Sequence, residues 1–276
     1  IGGGMDISTG TAMSLSGILS GLVMARITSG WSTAAGVAVV LGVGIACGAL
    51  NGFFIAKLKV NSFMMTLITQ MAFMGTALWL TNSKSVTGLP EAYISLGSLK
   101  LGGAPISLFL LLAFFILGQL FLSETGYGRR LFATGANTRA ARLVGINTFS
   151  ILFKAYLFGG FCNAVAAIIL TGKLGVANPT MGNDLFLDII SAAVIGGCSL
   201  FGGKGSVVGT AFGVLLIGLI SNGLSLLGVE YQATTVVKGG VILAAIILDT
   251  IQSRVSARQM LATSTGKTIK KAGVGA

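Results

Sequence analysis

Eight stretches of this chain, at residues 7–25, 32–56, 61–81, 105–122, 151–171, 185–201, 207–227 and 232–249, are apolar almost without interruption. A helix needs about 20 mainly apolar residues to cross the hydrocarbon of a bilayer. Each stretch reaches or approaches that length. The apolar residues run continuously instead of alternating, which specifies helices and not the strands of a membrane barrel. Composition agrees: 54% of the 276 residues are hydrophobic and 9% are charged, with a mean hydropathy of +0.92. An average soluble domain carries about 25% charged residues. The fold class expected is therefore an all-α integral membrane protein, a polytopic helical bundle with eight spans.

The charges are few and unevenly placed. Lys and Arg total 18 against 7 acids. Between residues 123 and 149 lie Arg129, Arg130, Arg139 and Arg142 against Glu124, and the tail holds Arg254, Arg258, Lys267, Lys270 and Lys271. Basic residues collect on the cytoplasmic side of membrane proteins. Four spans separate loop from tail, so both fall on one side. Lys57, Lys59, Lys154 and Lys204 join them, leaving Arg26, Lys84, Lys100, Lys173 and Lys238 outside. Residues 1–250 form the membrane domain, with 123–149 as a cytoplasmic loop. Residues 251–276, small, polar and basic, are expected to be a disordered cytoplasmic tail. Neither basic run interleaves its charges with aromatic platforms, so nucleic acid is not an expected partner. The lipid bilayer is.

Absences narrow the chemistry. The chain has no histidine, which removes haem-histidine ligation, zinc-histidine sites and Ser-His triads. Cys47, Cys162 and Cys198 lie far apart in apolar stretches with no C-x-x-C. They read as small buried residues, with no metal site and no disulfide framework. The chain opens on Ile1, without the basic n-region of a signal peptide, and this reading expects further sequence upstream.

Glycine is abundant, at 42 residues. Small residues let membrane helices approach closely and permit breaks where backbone lines a cavity. The stretch 185–201 is short and carries Asp188, so it is expected to span incompletely. Three glycine-rich stretches carry patterns. In Gly3-Gly4-Met5-Asp6-Ile7-Ser8-Thr9-Gly10 an Asp and two hydroxyls open an apolar helix. That pattern serves either as a helix cap or as a polar kink lining a permeation path. In the loop from Gly126 to Asn147, Asn137 caps a short helix over Thr138–Val144 that Gly145 terminates. Arg139 and Arg142 share one face of it. A solvated face explains those arginines but not Leu143, Val144 and Ile146, so the helix is expected to dock on a partner. The third stretch runs from Asn178-Pro179 through Asp188 to Ala193-Val194-Ile195-Gly196-Gly197-Cys198-Ser199-Leu200-Phe201-Gly202-Gly203-Lys204-Gly205. It is not a phosphate-binding loop: Gly205 follows Lys204 where Ser or Thr is needed, and Cys198 takes the first glycine position. Gly266-Lys267-Thr268 fails likewise, with Leu261 in that position. Residues 202–205 read instead as a tight turn between helices.

Together these stretches resemble the permease subunit of bacterial ABC importers of the ribose type, within the branched-chain amino acid/ribose permease superfamily. The pattern G-G-x-D-L-S-x-G falls on Gly3–Gly10, with Ile7 for the leucine. G-x-x-x-x-A-x-G-x-N-x-x-A-A-x-x-x-G-I-N falls on Gly128–Asn147, and A-V-x-G-G-x-S-L-x-G-G-x-G on Ala193–Gly205. The resemblance extends to about Asp249. It implies the type II permease fold, with about ten helices in an intact subunit, and residence in the bacterial inner membrane. It implies a second permease subunit, homo- or heterodimeric, two cytoplasmic ATP-binding subunits and a periplasmic sugar-binding protein. ATP and Mg would belong to the ATPase, so this chain would bind no cofactor and catalyse nothing. The helix Asn137–Gly145 would be the coupling helix, with Asn137, Thr138, Arg139, Ala141, Arg142, Leu143 and Gly145 engaging the ATPase. One departure stands: Phe186 occupies the position where many sugar permeases have Glu before Leu187-Asp188.

Polar residues in or beside the spans are the substrate-path candidates: Asp6, Ser8, Asn51, Asn61, Thr66, Gln70, Asn163, Asp188 and Asn222. Each could equally serve interhelical hydrogen bonding. Other classes compete. A water-type channel needs a second triplet like Asn178-Pro179-Thr180. A secondary transporter needs buried ionisable groups, for which only Asp6, Asp188 and Lys238 qualify. An intramembrane enzyme has few acid-base groups without histidine. An ABC permease for a non-sugar solute is the remaining alternative.

Overall fold

The structure is a computed structural model describing residues 1–27, 30–230, 232–241, 243, 244 and 247. In chain order it contains α1 (Thr9–Arg26), α2 (Ser32–Ala56), α3 (Ser62–Thr81), α4 (Glu91–Ser98), β1 (Lys100–Leu101) and β2 (Ala104–Pro105). There follow α5 (Ile106–Glu124), α6 (Gly126–Ala136), α7 (Thr138–Leu143), α8 (Thr148–Leu174), α9 (Leu185–Ile195) and α10 (Val207–Leu226). Residues 232–241 are also helical. The tail 251–276 lies outside the described residues.

Local chemistry sets the boundaries. Asn61 opens α3 by accepting from the amides of Phe63 and Met64, and Asn147 opens α8 by accepting from Ser150 N. These caps satisfy amides that helix geometry leaves free. Among the described residues α2, α3, α5, α8 and α10 are long and apolar enough to cross a membrane. The expected first span, 7–25, becomes α1. Serine, threonine and glycine dilute its apolar content, and 12 of its 18 residues are buried. It is the central helix of the bundle and not a lipid-facing one. The sixth expected span, 185–201, is helical only to Ile195. At 1.5 Å per residue its 11 residues rise about 16 Å, roughly half of the hydrocarbon thickness. The eighth, 232–249, is helical over 232–241, and most of its remainder lies outside the described residues.

Helices α2, α3 and α8 pack around α1. Close approach rests on glycine, as expected of membrane helices. Where α2 crosses α8, a Cβ on Gly48 would collide with the carbonyl oxygen of Tyr156, and one on Gly160 with that of Gly44. On the other face of α1, residues 176–184 descend as irregular chain. There Ala177 bridges Val86 and Gly182 N donates to Ser14 Oγ at 2.9 Å. Leu15, Ile18, Phe73, Ala77 and Ala177 fill the core between these layers. Helix α5, by contrast, buries none of its residues.

Candidate functional site

Asp6 stands on irregular chain just ahead of α1, and the hydroxyl-rich first turn of that helix supplies its partners. Ser8 donates to Asp6 Oδ1 from its amide at 3.0 Å and from its hydroxyl at 2.7 Å. Asn51, brought from α2, donates from Nδ2 to Ser8 Oγ at 2.8 Å. Thr66, brought from α3, donates to Met5 O at 3.3 Å, while Met5 N donates to Ser62 Oγ at 3.3 Å. Ser8, Asn51 and Thr66 are fully buried. Asn51 Oδ1 has no hydrogen-bond partner among the described residues. Cavities of about 490 Å³ and 260 Å³ flank residues 3–9, and Asp6 and Thr9 line both. Asn61, Tyr156 and Asn163 line the larger. Asp6 Oδ1 thus holds Ser8, the residue just before α1, while its carboxylate borders two cavities. Irregular backbone is tolerated inside a membrane protein only where it is buried or lines such a cavity.

The three glycine-rich stretches meet at one junction. A Cβ on Gly202 (φ +87) would lie 2.6 Å from Gly3 Cα and 2.9 Å from Gly135 O. One on Gly203 would lie 2.6 Å from Ala136 Cα, and Gly203 N donates to Ile1 O at 2.8 Å. The turn expected at 202–205 is therefore also a packing surface. It clamps the segment leading to Asp6 against the end of α6. No property of the separate motifs announces this, because their close approach is tertiary.

Helix α7 continues from α6 with little break. Asn137 Oδ1 accepts from Arg139 N and Ala140 N, both at 3.0 Å, and Thr138 Oγ1 donates to Thr134 O at 2.9 Å. The helix ends at Leu143, one residue before the expected Val144. Gly145 (φ +82) turns the chain so that Ile146 N reaches Ala141 O at 3.0 Å. Ala141 is 3% exposed and anchors the helix, whereas Leu143 is 89% and Val144 76% exposed. Arg139 points outward. Arg142, also exposed, donates from Nε to Thr148 Oγ1 at 2.9 Å, tying α7 to the first turn of α8.

The remaining candidates divide. Thr66 and Asn51 join the Asp6 cluster, as does Ser8. Asn61 and Asn163 border the larger cavity, Asn61 with its Oδ1 already engaged as a cap. Gln70 sits one turn beyond Thr66 and lines neither cavity, and Asn222 is exposed on α10. Asp188 pairs with Lys238, whose Nζ lies 2.9 Å from each carboxylate oxygen. Lys238, counted among the outer charges although the eighth apolar stretch contains it, lies on the 232–241 helix, where Asp188 of α9 supplies its counter-charge. Tyr156 is the residue that sequence reasoning omitted: its hydroxyl would lie 2.7 Å from a Cβ on Gly4.

Apolar helices wrapped around a hydrogen-bonded polar centre with flanking cavities make this a multi-pass membrane protein built as a permease. Residues 1–246 match the family described as branched-chain amino acid transport system / permease component, and the chain belongs to that family. It is 40% identical over 254 residues to the ribose import permease protein RbsC of Bacillus subtilis (strain 168), covering 90% of this chain and 76% of that protein. The RbsC protein of Escherichia coli (strain K12) is 36% identical over 250 residues, covering 89% and 77%. The autoinducer 2 import system permease protein LsrD of Photorhabdus luminescens is 33% identical over 253 residues, covering 90% and 75%. No solved structure matches the chain.

Proposed function

We propose that this chain is the transmembrane permease subunit of an ATP-binding-cassette importer carrying a monosaccharide or similar polyol across the bacterial inner membrane. The observation that carries the reading is the junction of Gly3, Gly135 and Gly202. It brings the end of α6, from which α7 continues, into direct contact with the segment that holds Asp6. A displacement of α7 is thereby passed to the walls of both cavities through backbone contacts that have no slack. Polar groups at those cavities suit a polyhydroxylated solute: the Asp6 carboxylate and Asn51 Oδ1 accept, while Asn163 and Tyr156 can donate. The relatives' printed substrates, ribose and autoinducer 2, support that class.

Helix α7 supports a cytoplasmic partner. At six residues it is too short to be stable alone, and it presents Leu143, Val144 and Arg139 outward. In this reading two ATPase subunits carrying ATP and Mg seat α7 in a groove, a second permease subunit completes the pore, and a periplasmic binding protein delivers the solute. The chain itself catalyses nothing.

The test is reconstitution of the full chain with its ATPase and binding protein in vesicles loaded with ATP. Ribose-class sugar uptake is expected only when all components are present. Equal uptake by the permease alone would replace the importer with a channel or carrier.

A further inference from the structure

A second cavity system, with a different chemistry, adjoins the Asp6 cavities through Ile1, Ala155 and Cys162. A cleft of about 700 Å³ lies between α5, α8 and the start of α10. Its walls are Phe114, Phe115, Phe121, Phe158, Leu111 and Gly118, with little polar surface except at one end. That end is formed by Tyr127 and Lys154. The same two residues also wall a neighbouring pocket of about 530 Å³, together with Arg130 and the backbone around Gly145. The two cavities therefore meet at Tyr127 and Lys154, apolar on the membrane side and basic on the loop side.

Tyr127 holds this boundary in place: its hydroxyl donates to Ile151 O at 2.7 Å, and its ring packs 5.1 Å from that of Phe121. Among the described residues, no carboxylate lines either cavity. The acid nearest in sequence, Glu124, accepts from Ser123 Oγ at 3.2 Å. Helix α5 buries none of its residues, so the cleft opens on a face that apolar neighbours must cover. An apolar slot ending at Lys154, with Arg130 in the pocket that adjoins it, is complementary to an amphiphile with an anionic head. A sugar would find no partners in the slot, and a peptide would bring amides that it cannot satisfy.

We infer that the paired cavities form a binding site for an anionic phospholipid. The phosphate sits between Arg130 and Lys154, and an acyl chain lies along Phe114, Phe121 and Phe158 in the cleft. Basic pockets beside transmembrane helices recognise lipid head groups by this charge matching, and the arginine fork suits a phosphate. The site lies beside Gly145, at the end of α7, so its occupant braces the loop that α7 belongs to.

The experiment is native mass spectrometry of the full chain, purified from vesicles of equimolar phosphatidylglycerol and phosphatidylcholine. Phosphatidylglycerol should be retained over phosphatidylcholine on the order of tenfold, given two cations at the membrane surface. Arg130→Gln with Lys154→Gln should abolish the preference while leaving some lipid of either kind. Gly118→Leu, which fills the cleft near Val207, should reduce retention of both. Inorganic phosphate in excess should not displace the lipid, because it lacks the chain. Equal retention of the two lipids, an unchanged preference in the double variant, or displacement by phosphate would each overturn the assignment. So would the absence of any retained lipid, which would mean that protein covers the cleft.

Discussion

Replacing Gly202 by alanine tests the glycine junction with a matched control in the same loop. Gly202 has φ +87, where an alanine costs about 1–2 kcal/mol because its Cβ crowds the next carbonyl. Its Cβ would also meet Gly3 Cα at 2.6 Å and Gly3 N at 2.7 Å. Both are backbone atoms that cannot swing aside, and overpacking of that kind adds about 1–3 kcal/mol. Gly197 has φ +85 but no atom within 4 Å of its would-be Cβ, so Gly197→Ala bears only the conformational cost. The difference between the variants isolates the contact. Thermal unfolding in detergent should show Gly202→Ala less stable than Gly197→Ala by about 1–3 kcal/mol. ATP-dependent uptake should survive Gly197→Ala and be lost in Gly202→Ala. If the two variants match in stability and uptake, the junction transmits nothing and the reasoning fails.

Other expectations follow from single contacts. Asp6→Ala removes the two bonds from Ser8, each worth about 1 kcal/mol, and should abolish uptake. Asp6→Asn keeps an acceptor for Ser8, so stability should return while uptake stays at least tenfold low; wild-type uptake would reduce Asp6 to a partner of Ser8. Asp188→Asn or Lys238→Gln alone strands a partner charge, at up to about 3 kcal/mol. The double variant should recover most of that, and strictly additive losses in a double-mutant cycle would deny the pairing. With the native cysteines replaced, a cysteine at Thr138 should escape an impermeant maleimide applied from outside while one at Leu101 reacts; the reverse pattern would invert the topology.

The apolar runs made the long helices legible, and Asn137 made the start of α7 so; the caps Asn61 and Asn147 were not read from the sequence. Asn61, Asn137 and Asn147 each stand where a helix begins and accept its free amides. Helix α6 was not legible, because Gly126, Gly128 and Gly135 lower its propensity and tertiary contacts of Leu131 and Thr134 hold it instead. The hairpin at 100–105 and α4 went unassigned for a related reason: their periods are too short for a hydrophobic pattern to emerge. At the candidate site, the composition of the Asp6 motif pointed to a cap or a polar lining; its carboxylate holds Ser8 ahead of α1 and borders two cavities. Asn222 and Asp188 could not be sorted by sequence, since a polar residue in an apolar run does not reveal which way it faces. Only the partner on another helix, here Lys238 for Asp188, decides that.

In the proposed importer, α7 is the contact through which an ATPase drives the chain. The most direct measurement is solute-stimulated ATP hydrolysis in vesicles holding permease, ATPase and binding protein, with Ala141→Pro compared with Arg139→Glu. Proline removes a backbone donor and distorts the buried anchor of the helix, while the exposed charge reversal leaves the fold intact and repels the partner. Arg142 is left alone, because its bond to Thr148 would confuse fold with contact. Both variants should insert in the membrane yet lose stimulated hydrolysis and uptake together. Undiminished stimulation and uptake in both would contradict the account.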